Sequence, residues 1–146
     1  MSERALVDVL EELIHAEQGA QSMLDAAVAR LAQDEVARRE LRGFRDDHAR
    51  HIQQLEELAK KLGREPRPAR QRRRRFRMLL ASAFGDSRIL RVAEKSEALA
   101  NRIYERALAE PGVSDELRQA LERGFEDERR HRAWLRTRLR SLRDAA

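Results

Sequence analysis

The sequence predicts an all-α fold, a bundle of four main helices. Three observations lead there. Charged residues make up 39% of the chain and aromatics 4%, with 3 prolines and 6 glycines, in a mixture rich in Ala, Leu, Glu and Arg, side chains that lose little freedom in a helix. Apolar residues recur in alternating steps of three and four, the spacing that gathers them on one side of a helix. Breaks in that spacing coincide with Gly, Pro, Asp and Ser, which cut the chain into four long stretches. At 146 residues there is enough chain for one continuous core, so residues 1–146 read as a single domain.

The first stretch carries Leu6, Leu10, Leu13, Ala20, Leu24, Val28 and Leu31 on one stripe. Its phase breaks at Gln33-Asp34, where continuation would bury Glu35 and Arg38; Asp34 suits the N-cap of a second helix instead. That helix bears Ala37, Leu41, Phe44, Ile52, Leu55, Leu58 and Leu62, until Gly63 ends it and Pro66 and Pro68 prevent its resumption. Residues 64–86 form a connection, and within it the stretch from about Arg70 to Phe84 predicts a short helix with Phe76, Leu79, Leu80 and Phe84 on its apolar side. Gly85-Asp86 predicts a break and a cap. The third helix carries Leu90, Ala93, Ala100, Tyr104 and Leu108 as far as Pro111-Gly112. Ser114 caps the fourth, whose first turn holds Asp115 and Glu116 against the positive end of the helix dipole, and whose stripe is Leu117, Leu121, Phe125, Leu135, Leu139 and Leu142.

Helices one and two are joined tightly enough to be antiparallel neighbours, and so are three and four. The connection between the pairs is long enough to run the height of a bundle. Two hairpins joined by such a crossover describe the ferritin-like arrangement rather than a simple up-and-down bundle.

Composition also narrows function. With no cysteine there is no disulfide, thiolate ligand or cysteine nucleophile, so any metal must be held by His and carboxylate. No apolar run approaches membrane-spanning length, and MSERALVDVLEEL at the start mixes charges with apolar residues unlike a signal peptide. A cytoplasmic address fits. The net charge of +5 is local in origin: residues 64–77, REPRPARQRRRRFR, carry eight arginines against one glutamate, so the rest of the chain is slightly acidic. A second, more dilute arginine cluster runs from Arg129 to Arg143.

A few seam positions are not apolar. Glu17 stands in line with leucines in helix one, His48 and His51 lie on the buried face of helix two, Glu94 and Glu97 on that of helix three, and Glu128 and His131 on that of helix four. Each lies near the middle of its helix, and antiparallel helices of similar length bring their midpoints to one level. The spacing therefore predicts one central cluster. A lone carboxylate in such a place costs several kcal/mol of desolvation or takes up a proton. One or two divalent cations resolve both the desolvation and the mutual repulsion, with imidazole and carboxylate as ligands. The i, i+3 spacing of Glu128 and His131 turns both to one face.

These residues, in ELIHAEQGAQSML, HARHIQQLEELAKKLGREP, GDSRILRVAEKSEALANRIYERAL and EDERRHRAWLRTRL, resemble the ferritin-like superfamily, and more closely its small bacterial four-helix proteins of unassigned function. Di-iron bundles of that kind carry a Glu on each of two helices and Glu-x-x-His on each of the others. The resemblance implies Glu17, His51, Glu97, Glu128 and His131 as ligands, with Glu94 matching an additional third-helix carboxylate. It implies iron, or another divalent metal such as Mn or Zn, with oxidase, peroxidase or ferroxidase-like chemistry, a stress-response setting and a homo-oligomer. One position departs from the pattern: His48 stands where a di-iron member has Glu. That removes a negative charge and a bridging ligand, so a mononuclear site, a divalent pair or an altered centre fits better than two ferric ions. The alternative function is a non-enzymatic helical protein that binds nucleic acid or an acidic partner through Arg70–Arg77. No aromatic interleaving or reading motif accompanies that run, and a solvated crossover is favoured over it.

Overall fold

The computed structural model describes residues 2–65 and 78–145. Four long helices follow one another: α1 (Ser2–Arg30), α2 (Glu35–Lys61), α3 (Asp86–Ala109) and α4 (Asp115–Asp144). Their ends answer to the capping chemistry of the sequence. Asp34 accepts from the Ala37 amide at 3.0 Å to start α2, and Ser114 accepts from the Leu117 amide at 3.2 Å to start α4. Gly63, at φ 84°, takes the left-handed conformation after α2 that a side chain would resist.

Asp86 behaves differently from the cap expected of it. Gly85 is the N-cap of α3 and offers no side chain. The Asp86 carboxylate reaches instead across to the α1–α2 loop, where it accepts from the amides of Ala32, Gln33 and Asp34 at 3.1, 3.2 and 3.0 Å. One aspartate thereby satisfies three loop donors that would otherwise lack partners.

That contact also fixes topology. α3 starts where α1 ends, and Arg138 near the end of α4 meets Asp34 there at 2.8 and 2.9 Å. At the opposite end Lys61 pairs with Glu116 at 2.9 Å, and Arg64 with Asp8 and Glu11 at 3.4 and 3.3 Å. The described flanks of the crossover, Arg64 on one side and Leu80 on the other, therefore lie at opposite ends of the bundle. α1 packs on both α2 and α3, α4 packs on α3, and the α2–α4 seam is the sparsest of the four.

Of the crossover, residues 78–81 are helical. Leu80 is buried, but Leu79 and Phe84 are 41% and 73% exposed, so the apolar side expected for this short helix is only partly covered. Arg30 anchors it by donating to the carbonyls of Leu80 and Ala83. Phe76 and the Arg70–Arg77 run lie outside the described residues.

Buried apolar side chains form two separate clusters. One, towards the α1–α2 loop, includes Met23, Leu24, Leu41, Phe44, Leu90 and Leu135. The other, towards the opposite end, includes Leu10, Leu13, Ile14, Leu55, Ile103 and Leu121. Between them lies a layer of ionisable groups.

Candidate metal centre

Each of the four helices sends a mid-length residue into that layer. Glu17 from α1, His48 and His51 from α2, Glu97 from α3, and Glu128 and His131 from α4 are all at most 4% exposed. Helical periodicity puts each on the inner face, and the apolar clusters above and below exclude water. Their donor atoms form two overlapping groups, Glu17, His48, His51 and Glu128, and His48, Glu97, Glu128 and His131, within each of which all chosen atoms lie within 4.8 Å of one another. His48 and Glu128 belong to both.

Glu94 is not brought into this layer. Three residues before Glu97, it is turned round the helix to the edge facing α4, where Arg132 donates to it at 2.9 Å and Arg136 lies 3.8 Å away. It lines an open groove with Arg132, Arg136 and Arg140 on the outer α3–α4 face.

Two aspartates join the arrangement from outside. His51 Nε2 lies 2.8 Å from Asp127, and His131 Nε2 lies 2.8 Å from Asp47. The pairing crosses the seam, so that each histidine is held by the aspartate of the opposite helix. With Nε2–H donated outwards, the Nδ1 lone pair of a neutral ring faces inwards, the arrangement in which a carboxylate behind a histidine orients it as a ligand. Arg50 and Arg130 lie over the pair: Arg50 contacts Asp47 at 2.7 Å and Asp127 at 3.6 Å, and Arg130 contacts them at 2.9 and 3.2 Å. These four residues had a signal in the sequence. Asp47-His48-Ala49-Arg50-His51 and Asp127-Glu128-Arg129-Arg130-His131 repeat Asp, Arg and His at the same offsets, with His48 where the second stretch has Glu128 and Ala49 where it has Arg129.

No family model and no curated protein matches the sequence. Solved structures do. A ferritin-like, diiron-carboxylate protein from Bacillus anthracis str. Ames superposes at a TM-score of 0.82 over 95% of this chain and 98% of that one, with 23% identity. A dodecameric thioferritin, the bacterioferritin-related protein of Bacteroides fragilis, gives 0.84 over 98% of this chain and 89% of that one, with 16% identity. The chain has the ferritin-like fold. The two antiparallel hairpins, α1–α2 and α3–α4, set four helix midpoints at one level.

Within this ferritin-like layer the charges are strongly coupled. Burial works against the charged form of Glu17, but the neighbouring His48 and the hydrogen bonds from His48 and His51 outweigh it and hold Glu17 at about 2. Burial likewise works against a charged His48, yet Glu97 and Glu17 on its two sides raise it to about 10. Glu97 is held well below the usual range, against its burial, chiefly by His48. Glu128 goes the other way: burial, and then the charges of Glu17 and Glu97, push it well above the usual carboxylate range and keep it neutral. Tyr104, on the α3 side, is raised well above its usual value by burial and by Glu17 and Glu128.

The layer fits a cation. Glu17 Oε1 and both oxygens of Glu128 are enclosed and have no hydrogen-bond partner; the Nδ1 atoms of His48 and His51 stand 3.3 and 3.4 Å from Glu128 Oε1. Buried polar atoms are normally paired, and these are aimed into a set of carboxylates and imidazoles, the donors that iron, manganese and zinc accept. Phe44 stacks on the His131 ring at 4.1 Å and closes one flank.

Proposed function

We propose that this chain is a ferritin-like metal-binding protein whose resident metal is iron. The observation that carries this reading is Glu128, a fully enclosed carboxyl with two unpartnered oxygens among three histidines and two further glutamates. Glu17, His51, Glu97, Glu128 and His131 would hold the metal, with His48 completing the set. The diiron-carboxylate neighbour supports iron over manganese or zinc. Bound iron would supply a redox-active centre able to exchange electrons with dioxygen or peroxide through an open coordination position.

The chain's own residues give the rest of the reading. Asp47 and Asp127 keep His131 and His51 in the ligating orientation. Both aspartates sit at the α2–α4 seam with side chains 15% and 25% exposed, so they also face the route by which a cation enters, under the guanidinium groups of Arg50 and Arg130. The apolar clusters and Phe44 keep bulk water off the layer, where charges interact more strongly than in solvent. Metal handling or defence against oxidants, in the cytoplasm, is the setting we propose. The dodecameric neighbour supports self-association, which light scattering would read.

The test is elemental analysis of protein purified without chelators, then reconstitution with Fe(II), beside the Glu128→Ala variant. Iron retained by the parent and lost by the variant is the expected result; equal iron in both would defeat the assignment. Absorbance changes after dioxygen or peroxide is added to the Fe(II) protein would then test the chemistry.

A second reading, a helical protein that binds a polyanion, has one observation of its own. Arg102, Arg129, Arg132, Arg136 and Arg140 line open grooves of the outer α3–α4 face against only Glu94 and Glu105. Salt-dependent binding of DNA or RNA, lost when Arg129, Arg136 and Arg140 are changed to Ser, would favour it. No helix among the described residues is long and apolar enough to cross a membrane.

A further inference from the structure

The three buried histidines are not held alike. His51 and His131 each turn Nδ1 towards the carboxylate layer, at 3.2 Å from Glu17 and 3.3 Å from Glu97, and each gives Nε2 to an aspartate that belongs to neither ligand group. That is how a terminal histidine ligand is ordinarily built, one nitrogen for the metal and the other anchored. His48 has no outside anchor. Its Nδ1 lies 2.7 Å from Glu17 and 3.3 Å from Glu128, and its Nε2 lies 3.0 Å from Glu97. Its ring stands between those of His51 and His131, with centroids 6.0 and 5.4 Å away.

The two nitrogens of one imidazole thus face two different ligand groups. Nδ1 belongs with Glu17, His51 and Glu128; Nε2 belongs with Glu97, on the side of His131. We propose that His48 is a ligand shared by two cations, one on each ring nitrogen, an inference that rests on the metal-binding reading above. Both ring protons leave to solvent as the nitrogens take their metals, and the ring then carries one negative charge between the ions. Glu128 belongs to both ligand groups and can offer its carboxyl to either ion. This gives a specific meaning to histidine where the related pattern has glutamate. A carboxylate presents two oxygens from a single carbon and draws two ions together, whereas the nitrogens of an imidazole point away from each other and keep the ions apart.

The alternative is a single cation with His48 as a terminal ligand. Direct observation of the ring nitrogens separates the two. Metal-free protein containing nitrogen-labelled histidine is loaded with an NMR-active cadmium isotope, and cadmium content is measured on the same sample. The expected result is two cadmium ions per chain, one histidine coupled to cadmium through both ring nitrogens, and two histidines coupled through Nδ1 alone. His48→Gln should halve the cadmium content, and His48→Glu, which restores a two-atom bridging ligand, should return it to the parent level without any doubly coupled histidine. A single cadmium per chain, or His48 coupled through one nitrogen only, overturns the shared-ligand proposal and leaves the metal-binding reading standing. A chain that retains neither cadmium nor iron overturns both.

Discussion

Two regions of this molecule bury carboxylates, and they treat them in opposite ways. At the α1–α2 loop, Asp34 accepts from the Ala37 amide and from two nitrogens of Arg138, and Asp86 accepts from three consecutive amides. Both carboxylates there are met by the protein's own donors. At the waist, both Glu128 oxygens and one Glu17 oxygen lack a hydrogen bond, although six ionisable side chains crowd the layer. Carboxylates that hold the architecture are completed by the fold. Those at the waist lack hydrogen bonds in a place where an unpaired polar atom costs about 1–3 kcal/mol, a cost that the proposed metal would offset.

The largest effect expected from testing this contrast comes from the loop. Asp34→Ala removes a helix cap and leaves Arg138 without its carboxylate, and should lower stability by about 2–3 kcal/mol in urea denaturation. The loss should be the same with and without added Fe(II); a loss that depended on iron would break the distinction between the regions. Gly124→Ala probes packing at the waist. A Cβ there would come within 2.7 Å of ring carbons of the buried Tyr104, so the ring must shift, and a loss of about 2 kcal/mol is expected, read as a fall in Tm.

Acid should act on both regions. Asp34 is held below its ordinary value of 3.8, against its burial, by Arg138 and the Ala37 amide. Asp47, from the same ordinary value, is held at about 2, again against burial, by His131 and Arg50. For a carboxyl lowered in the folded state, the stabilisation is fully present above the unfolded value and is lost as pH falls towards the folded one. The urea midpoint should therefore hold above about pH 5 and fall progressively from about pH 4 to pH 2. Asp34→Asn should flatten part of that fall; an unchanged acid profile would show that the loop carboxylate does not contribute it.

The smallest stability effect should come from Glu128→Gln. Because burial and the neighbouring charges already keep Glu128 neutral, an amide of the same shape should change the stability of metal-free protein by less than about 1 kcal/mol, in either direction. The same substitution should reduce iron uptake. A large destabilisation without metal would mean that the waist carboxyl is structural, like Asp34, and would erase the contrast.

Much of the site was legible in the chain because both of its coordinates are local. Helical periodicity sets which way Glu17, His48, His51, Glu97, Glu128 and His131 point, and their distance from the helix ends sets their height. Glu94 shows the limit of that reasoning. A residue three positions from Glu97 is near enough to its face to count as inward, yet Arg132 on the neighbouring helix decides that it turns to the groove. Asp47 and Asp127 were legible in principle, through the repeated Asp-x-x-Arg-His pattern, but their partners lie on opposite helices and only the packing pairs them. Asp86 is similar: a cap by position, it serves a loop more than fifty residues away along the chain.

By itself the sequence determined the four helices, the capping by Asp34 and Ser114, and the convergence of three carboxylates and three imidazoles at one level. These follow from rotation and rise along single helices, quantities that a linear pattern encodes. Only the tertiary structure decided which oxygens were left unpaired, which aspartate holds which histidine, and that His48 has a ligand group at each nitrogen. Those facts depend on distances between helices, and the placing of one helix against another is set by the packing of all four at once.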